Sequence, residues 1–197
     1  VGKKTMKTKQ LSCCLVLALL AVSAWADPYH HEATGIIFPD VLAGLDKDAE
    51  VVDYEARQAG LGISVRYGSP ASKVDVYLYT MGRDSIPGDL HAPLVKEHFM
   101  QASEEIIGVA EQGLYENFKV LSEGELASKE AGVLPVWRAI YLFSRAGQDY
   151  RSYLYVATFH NHFLKVRYTI LAESADDHDR DADDFWAALC HLLPTDQ

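Results

Sequence analysis

Hydrophobic and polar residues alternate along the middle of the chain with the two periods that are typical of strands and helices. Residues 73–81 alternate at every second position, which predicts a strand with Val74, Val76 and Leu78 on one side. Residues 92–113 carry apolar side chains three and four positions apart, which predicts a helix with one buried stripe. The stripe comprises Val95, Phe99, Ala102, Ile106, Val109 and Gly113.

The sequence after this helix predicts further strands and a closing helix. The predicted strands are 116–126, 134–145, 150–159 and 163–171. Because the last three are joined by the short connections Gly147-Gln148-Asp149 and His160-Asn161-His162, we expect them to pair as an antiparallel meander. The closing helix begins near Asp176–Asp181 with acidic residues that suit its dipole, and it is apolar up to Leu193.

The sequence before residue 73 predicts shorter elements. They are a loose segment at 27–34, a short strand at 34–38, a helical turn or loop at 40–48, and two alternating pieces at 50–57 and 61–67. Gly60 lies between the two alternating pieces, which predicts a hairpin.

The order of these elements predicts an α+β fold. Strands that are segregated from helices and joined by short connections indicate a single antiparallel sheet of about six to seven strands, with helices packed on its faces. A doubly wound parallel fold would need a helix between successive strands, and residues 116–171 leave no room for one. We expect residues 27–197 to form one domain.

The first 26 residues are typical of a secretory signal peptide. Four lysines precede the apolar run Leu11–Val22, and Ala24-Trp25-Ala26 supplies the small residues of a cleavage site before Asp27. A membrane anchor is the alternative, but about 12 apolar residues are too few to cross a bilayer core that needs about 20. The sequence therefore predicts an exported protein, periplasmic in a Gram-negative source and secreted otherwise, with no stable membrane insertion after cleavage.

The charge of the chain excludes one class of partner. The net charge is −10, and removing the four lysines of residues 1–26 makes it about −14. So acidic a protein repels phosphate backbones, which argues against nucleic-acid binding.

Cysteine usage predicts a fold without a disulfide. Cys13 and Cys14 lie within the predicted signal peptide, which leaves Cys190 alone in the exported protein. Cys190 lies in an apolar helical run, so we expect a buried side chain and not a nucleophile.

Several short patterns together resemble a known family. They are Gly35-Ile36-Ile37-Phe38-Pro39, the strand Val74–Tyr79, the helix after it, the segment from Tyr153 to Tyr168, and the closing helix. This order resembles the PsbP-like α/β/α sandwich, which includes extrinsic photosystem proteins and DcrB-type bacterial envelope proteins. The resemblance implies an accessory or partner-binding protein, and it supplies no catalytic residues.

Two acidic or histidine-rich segments are candidate metal sites. His160 and His162 would share a face on an extended strand and could chelate a metal, with His30, His31 or Glu32 completing the site. A hairpin turn at Asn161 would instead separate the two rings. The acidic run 176–184 lacks the Gly and Glu positions of a calcium loop, so we interpret it as the solvated start of a helix.

Cationic and aromatic residues on the strands form a candidate binding surface for an anionic group. In an acidic protein, a Tyr, Arg and Lys surface suits recognition of an anion. Ordinary amphipathic strands, whose cations pair with Asp or Glu, are the alternative. The candidate residues are Lys165, Arg167, Arg151, Tyr153, Tyr155 and Tyr77.

These observations favour an exported accessory or binding protein without catalytic activity. Its expected partner is a protein or a small anionic ligand of the cell envelope, and no cofactor is predicted. The sequence contains no Gly-x-Ser-x-Gly motif and no phosphate-binding glycine loop after a strand. The alternative is a hydrolase or metal-dependent enzyme that uses His160, His162 and acidic residues.

Overall fold

The computed structural model of the protein describes residues 27–127, 130–172 and 178–194. These residues contain eleven strands and two helices. The helices are α1, Pro93–Glu111, and α2, His178–Cys190. The strands are β1 Tyr29–His31, β2 Ile36–Phe38, β3 Val41–Leu42, β4 Leu45–Lys47, β5 Val52–Asp53, β6 Ile63–Gly68, β7 Ser72–Tyr79, β8 Glu116–Leu126, β9 Val136–Arg145, β10 Gln148–Phe159 and β11 His162–Leu171.

Nine strands form one large antiparallel sheet in the described part of the chain. Its order is β3-β4-β6-β7-β11-β10-β9-β8, and β5 also pairs with β6. β1 and β2 form a separate two-stranded sheet. The prediction of a single sheet of six to seven strands is therefore wrong, although strands and helices are segregated as expected.

The additional strands come from the N-terminal third. A helical turn or loop was predicted at 40–48, but this segment forms the β3–β4 hairpin through Ala43 and Gly44, whose φ angles are 48° and 78°. A non-glycine residue rarely adopts positive φ, and the Asn-Gly pair that usually marks such a turn is missing. The predicted strand at 34–38 contributes β2, which pairs with β1 where a loose segment was expected.

The C-terminal meander is confirmed. β8, β9, β10 and β11 lie side by side in chain order, and their bounds agree with the predicted ones within two residues. Two-residue turns join the last three strands, at Ala146-Gly147 and at His160-Asn161, and all four residues have positive φ. Such turns match the right-handed twist of paired strands. β11 then pairs with β7 and joins the meander to the N-terminal strands.

The two helices cover opposite faces of the large sheet. α1 packs Phe99 and Ala102 against Ala139, Tyr141, Leu154 and Val156, and we call this side the α1 face. α2 packs Phe185, Trp186 and Leu189 against the other side, the α2 face, among Tyr67, Tyr155 and Val166.

The predicted burial is confirmed at the positions that matter for packing. The α1 stripe is buried at Val95, Phe99 and Ala102 and partly buried at Ile106 and Val109, but the predicted burial of Gly113 is wrong because this residue is exposed. Gly113 follows the helix with φ 77°, as expected of a C-terminal stop. Cys190 is 2% exposed, and burial raises its pKa to about 11, so its thiol stays protonated at neutral pH.

The predicted signal peptide, residues 1–26, lies outside the described residues. In the part of the chain that is described, neither helix has both the length and the apolar composition needed to cross a membrane.

Candidate functional site

The side chains predicted to form one binding surface divide between the two faces of the sheet. The turn between β10 and β11 pairs odd residues of one strand with even residues of the other, as in Tyr155 opposite Val166. Lys165 and Arg167 therefore share the α1 face with Tyr77, which pairs directly with Lys165. The α2 face carries the other three candidates, Arg151, Tyr153 and Tyr155.

The candidates on the α2 face hold α2 against the sheet. The Oη of Tyr153 donates to Asp179 Oδ1 at 2.6 Å, and Arg151 Nη2 lies 2.8 Å from the same oxygen. The Oη of Tyr155 donates to Asp183 Oδ1 at 2.7 Å. Asp179 and Asp183 are four residues apart and so face the sheet together. These two acidic residues are thus bonded within the fold and do not merely form the solvated start of a helix.

Lys165 on the α1 face packs against aromatic rings. Its Nζ lies 4.8 Å from the ring centroid of Tyr77 and 5.3 Å from that of Tyr79. Both distances allow cation–π attraction. Burial lowers the pKa of Lys165, an effect that Glu105 opposes and Arg167 reinforces. Lys165 is therefore a structural cation beside Arg167.

Arg167 lies at the centre of the α1 face and is fixed from two sides. Its Nε donates to the Oγ of Ser152 at 2.7 Å, and its Cζ lies 5.2 Å from the ring centroid of Tyr141. Within the described residues it forms no ion pair. Burial lowers the pKa of Arg167, yet an arginine remains charged at neutral pH.

Asp75, the carboxylate directly opposite Arg167 in the β7–β11 pairing, is engaged by other cations. Its Oδ1 lies 2.9 Å from Arg66 Nε, and its Oδ2 lies 3.1 Å from Lys73 Nζ. The hydrogen bond that Arg66 Nε donates to Asp75 raises the pKa of Arg66. Both carboxylate oxygens of Asp75 thus have a cationic partner other than Arg167.

A cavity of about 610 Å³ opens beside Arg167, where β7 begins and β9 and β11 end. Three cationic residues line it, Arg167, Arg145 and Lys73, whereas Asp75 is the one acidic lining residue in the described chain. The rest of the chain is strongly acidic, with a net charge of −10 overall. The cavity is therefore a local concentration of positive charge.

Aromatic rings form another part of the cavity lining. The rings of Tyr115 and Phe143 are stacked with centroids 4.1 Å apart, and those of Phe143 and Tyr150 are 5.4 Å apart. The angles between the planes are 24° and 23°, so each tyrosine ring is stacked on the ring of Phe143. Gln148, Ser72 and Thr169 add polar groups that can hydrogen-bond.

The candidate metal ligands converge only in part, since His162 lines one cavity with His30, His31 and Glu32, whereas His160 does not line it. His160 occupies the turn with φ 43°, and its ring stacks on that of Phe159. His162 lies on β11, and the centroid of its ring is 5.5 Å from that of His31. Burial lowers the pKa of His31, and His162 and His30 add to this effect. Among the described residues, no three His, Cys, Asp or Glu side chains are grouped as a metal site would require.

Sequence reasoning identified Arg167 but missed most of the cavity around it. Tyr150 and Phe143 are paired on neighbouring strands, and the Ala146-Gly147 turn could have indicated this pairing. Tyr115 precedes β8 outside any strand pattern, so no sequence signal indicated that it lines the cavity.

No protein-family model and no curated protein matches the chain. A solved structure of a Pseudomonas aeruginosa protein of unknown function is similar over 86% of this chain and 97% of that chain, with 14% sequence identity and a TM-score of 0.42. The resemblance to PsbP-like proteins stays a prediction.

Proposed function

We propose that this protein is an exported binding module that holds an anionic group of a small molecule or partner in the cavity beside Arg167. One observation carries the proposal. The guanidinium of Arg167 lines a cavity, is anchored through Nε, and has no carboxylate partner within the described residues.

The energetics of a partly buried cation support this proposal. Removing a guanidinium from water is unfavourable unless an anion or several hydrogen-bond acceptors replace the lost solvent. Ser152 occupies one donor of Arg167, and Asp75 is engaged by Arg66 and Lys73. A carboxylate or phosphate in the cavity would accept the remaining donors in the paired geometry that arginine favours.

The neighbouring charges support the same ligand class. Arg145 and Lys73 add positive charge at the cavity, and they belong to different strands from Arg167. In a chain of net charge −10, this region attracts an anion that most of the surface repels.

The proposal includes export, because residues 1–26 are typical of a signal peptide. The function is then that of an accessory protein of the cell envelope, acting by capture and without chemistry of its own.

The test is anion binding to wild type and to Arg167→Met, which removes the charge and keeps an apolar stem. Sodium acetate, inorganic phosphate and sodium benzoate are titrated separately at constant ionic strength. Binding is followed by NMR through the backbone amides of Ser72 and Thr169, which line the cavity. We expect at least one anion to bind wild type and to lose about tenfold or more in affinity in the variant.

The matched control is Arg180→Met, which removes the same charge from an exposed residue of α2 on the opposite side of the sheet. The affinity of this variant for the anions should equal that of wild type, because Arg180 does not line the cavity. A general effect of the lost charge would instead lower the affinity of both variants. Arg167→Lys retains a charge if Arg167→Met does not fold. Absence of binding by all three anions, or equal loss in the Arg180 control, would overturn the proposed function.

A further inference from the structure

The volume of the cavity constrains the ligand more narrowly than its charge does. At about 610 Å³, the cavity lies within the range of small-molecule sites, which is about 300–1,000 Å³. Acetate or inorganic phosphate bound to Arg167 would leave most of this space to water. The ligand therefore has a body attached to its anionic group.

The lining indicates the chemistry of that body. Tyr115 and Tyr150 are partly exposed at the cavity, and each stacks on Phe143, which is only 4% exposed. The flat rings of the two tyrosines favour stacking with another planar group. Tyr115 also lies close enough to Arg167 for each to influence the other electrostatically. The cationic head of Arg167 and the aromatic surface thus adjoin the same space.

We propose that the cavity binds an aromatic anion, a carboxylate or phosphate carried on a planar ring. This inference rests on the proposed function, because it assumes that Arg167 receives the anionic group. The ring of the ligand packs on Tyr115 and Tyr150, which are both stacked on the buried Phe143, while its head meets Arg167, with Arg145 and Lys73 nearby. Gln148 and Thr169 offer hydrogen bonds to polar substituents on the ring.

Four anions with different bodies test the inference on wild-type protein. Acetate provides the head alone, cyclohexanecarboxylate adds an apolar but non-planar body, and benzoate adds a planar ring. Phenyl phosphate distinguishes a phosphate head from a carboxylate head. We expect benzoate to bind about tenfold more tightly than acetate, and about two- to tenfold more tightly than cyclohexanecarboxylate.

Variants of the aromatic wall identify where the preference originates. Tyr115→Leu and Tyr150→Leu keep apolar volume and remove a ring, so each should reduce the preference for benzoate over cyclohexanecarboxylate. The matched control is Tyr54→Leu, at a tyrosine outside the cavity lining that contacts Arg57. This control should keep the full preference.

The outcomes separate this inference from the proposed function. If the carboxylates bind equally and all depend on Arg167, the aromatic inference is wrong and the proposed function stands. If none of the anions binds, both are wrong. An equal affinity of wild type for benzoate and cyclohexanecarboxylate overturns the aromatic inference without any variant, so the test does not depend on the folding of a mutant.

Discussion

His98 is a buried histidine that the fold keeps in its neutral form. Its Nε2 lies 2.5 Å from the Oη of Tyr79, and the centroid of its ring lies 4.1 Å from that of the Phe163 ring. Burial lowers the pKa of His98 to about 4, and the positive charges of Lys165 and Arg83 contribute. Protonation below pH 6.5 is therefore easier in the unfolded chain than in the folded protein.

This difference predicts that acid destabilises the protein through His98. The free energy of unfolding should fall as the pH decreases from 6.5 to about 4, by an amount on the order of 3 kcal/mol from this group. His98→Gln keeps a hydrogen-bonding side chain for Tyr79 but cannot be protonated. Urea denaturation across this pH range should show a flatter profile for the variant.

Parallel profiles for wild type and His98→Gln would contradict the prediction. His31 also has a lowered pKa, but it is present in both proteins and its effect cancels in the comparison.

Single residues show where sequence reasoning stops. Lys165 and Arg167 were correctly identified as a pair that shares a face, because alternation along a strand is local. Grouping them with Tyr153 and Tyr155 required the register between β10 and β11, which depends on the length of the turn at His160-Asn161. One residue more or fewer in that turn would have exchanged the faces.

At the level of elements, α1 attaches to the sheet through a small apolar cluster. Phe99 is 5% exposed, packs with Tyr141 and Leu154, and its ring lies 5.7 Å from that of Trp137. Phe99→Ala should lower the free energy of unfolding by about 3–5 kcal/mol, because the substitution leaves a cavity under the helix. Urea denaturation measures this difference.

The neighbouring residue supplies a control for this prediction. Met100 lies on the same helix but is 50% exposed, so Met100→Ala should change the free energy of unfolding by less than about 0.5 kcal/mol. A loss below about 1 kcal/mol for Phe99→Ala would show that α1 does not depend on this contact.

Elements with a strong local pattern of hydrophobic residues were predictable from the sequence, whereas the pairing of strands was less so. The alternation of β7 to β11 and the apolar stripe of α1 agree closely with the structure. The β3–β4 hairpin was missed because the turn Ala43-Gly44 has no strong sequence signal. The pairing of β7 with β11, on which the cavity depends, joins distant segments and leaves no trace in local periodicity.

At the level of the whole molecule, export predicts a defined N-terminus. If the interpretation of Ala24-Trp25-Ala26 is correct, intact mass spectrometry of protein from the cell-envelope fraction should give a chain that begins at Asp27. Ala26→Arg should block this processing, because the cleavage site needs a small residue there. Protein that retains Leu11–Val22 and sediments with membranes would contradict the prediction.

The pairing of β7 with β11 also has a consequence for how the chain folds. Tyr77 and Lys165 are about 90 residues apart, whereas β8 to β11 pair through short connections. Closing so distant a contact has a large entropic cost, so we expect it to form late and to limit the folding rate. Lys73 and Tyr150 line the cavity from opposite sides of the β7–β11 pairing, so the cavity exists only once these two strands have paired. A ligand bound there would contact both early-forming and late-forming parts of the chain and would stabilise the folded protein relative to the unfolded one.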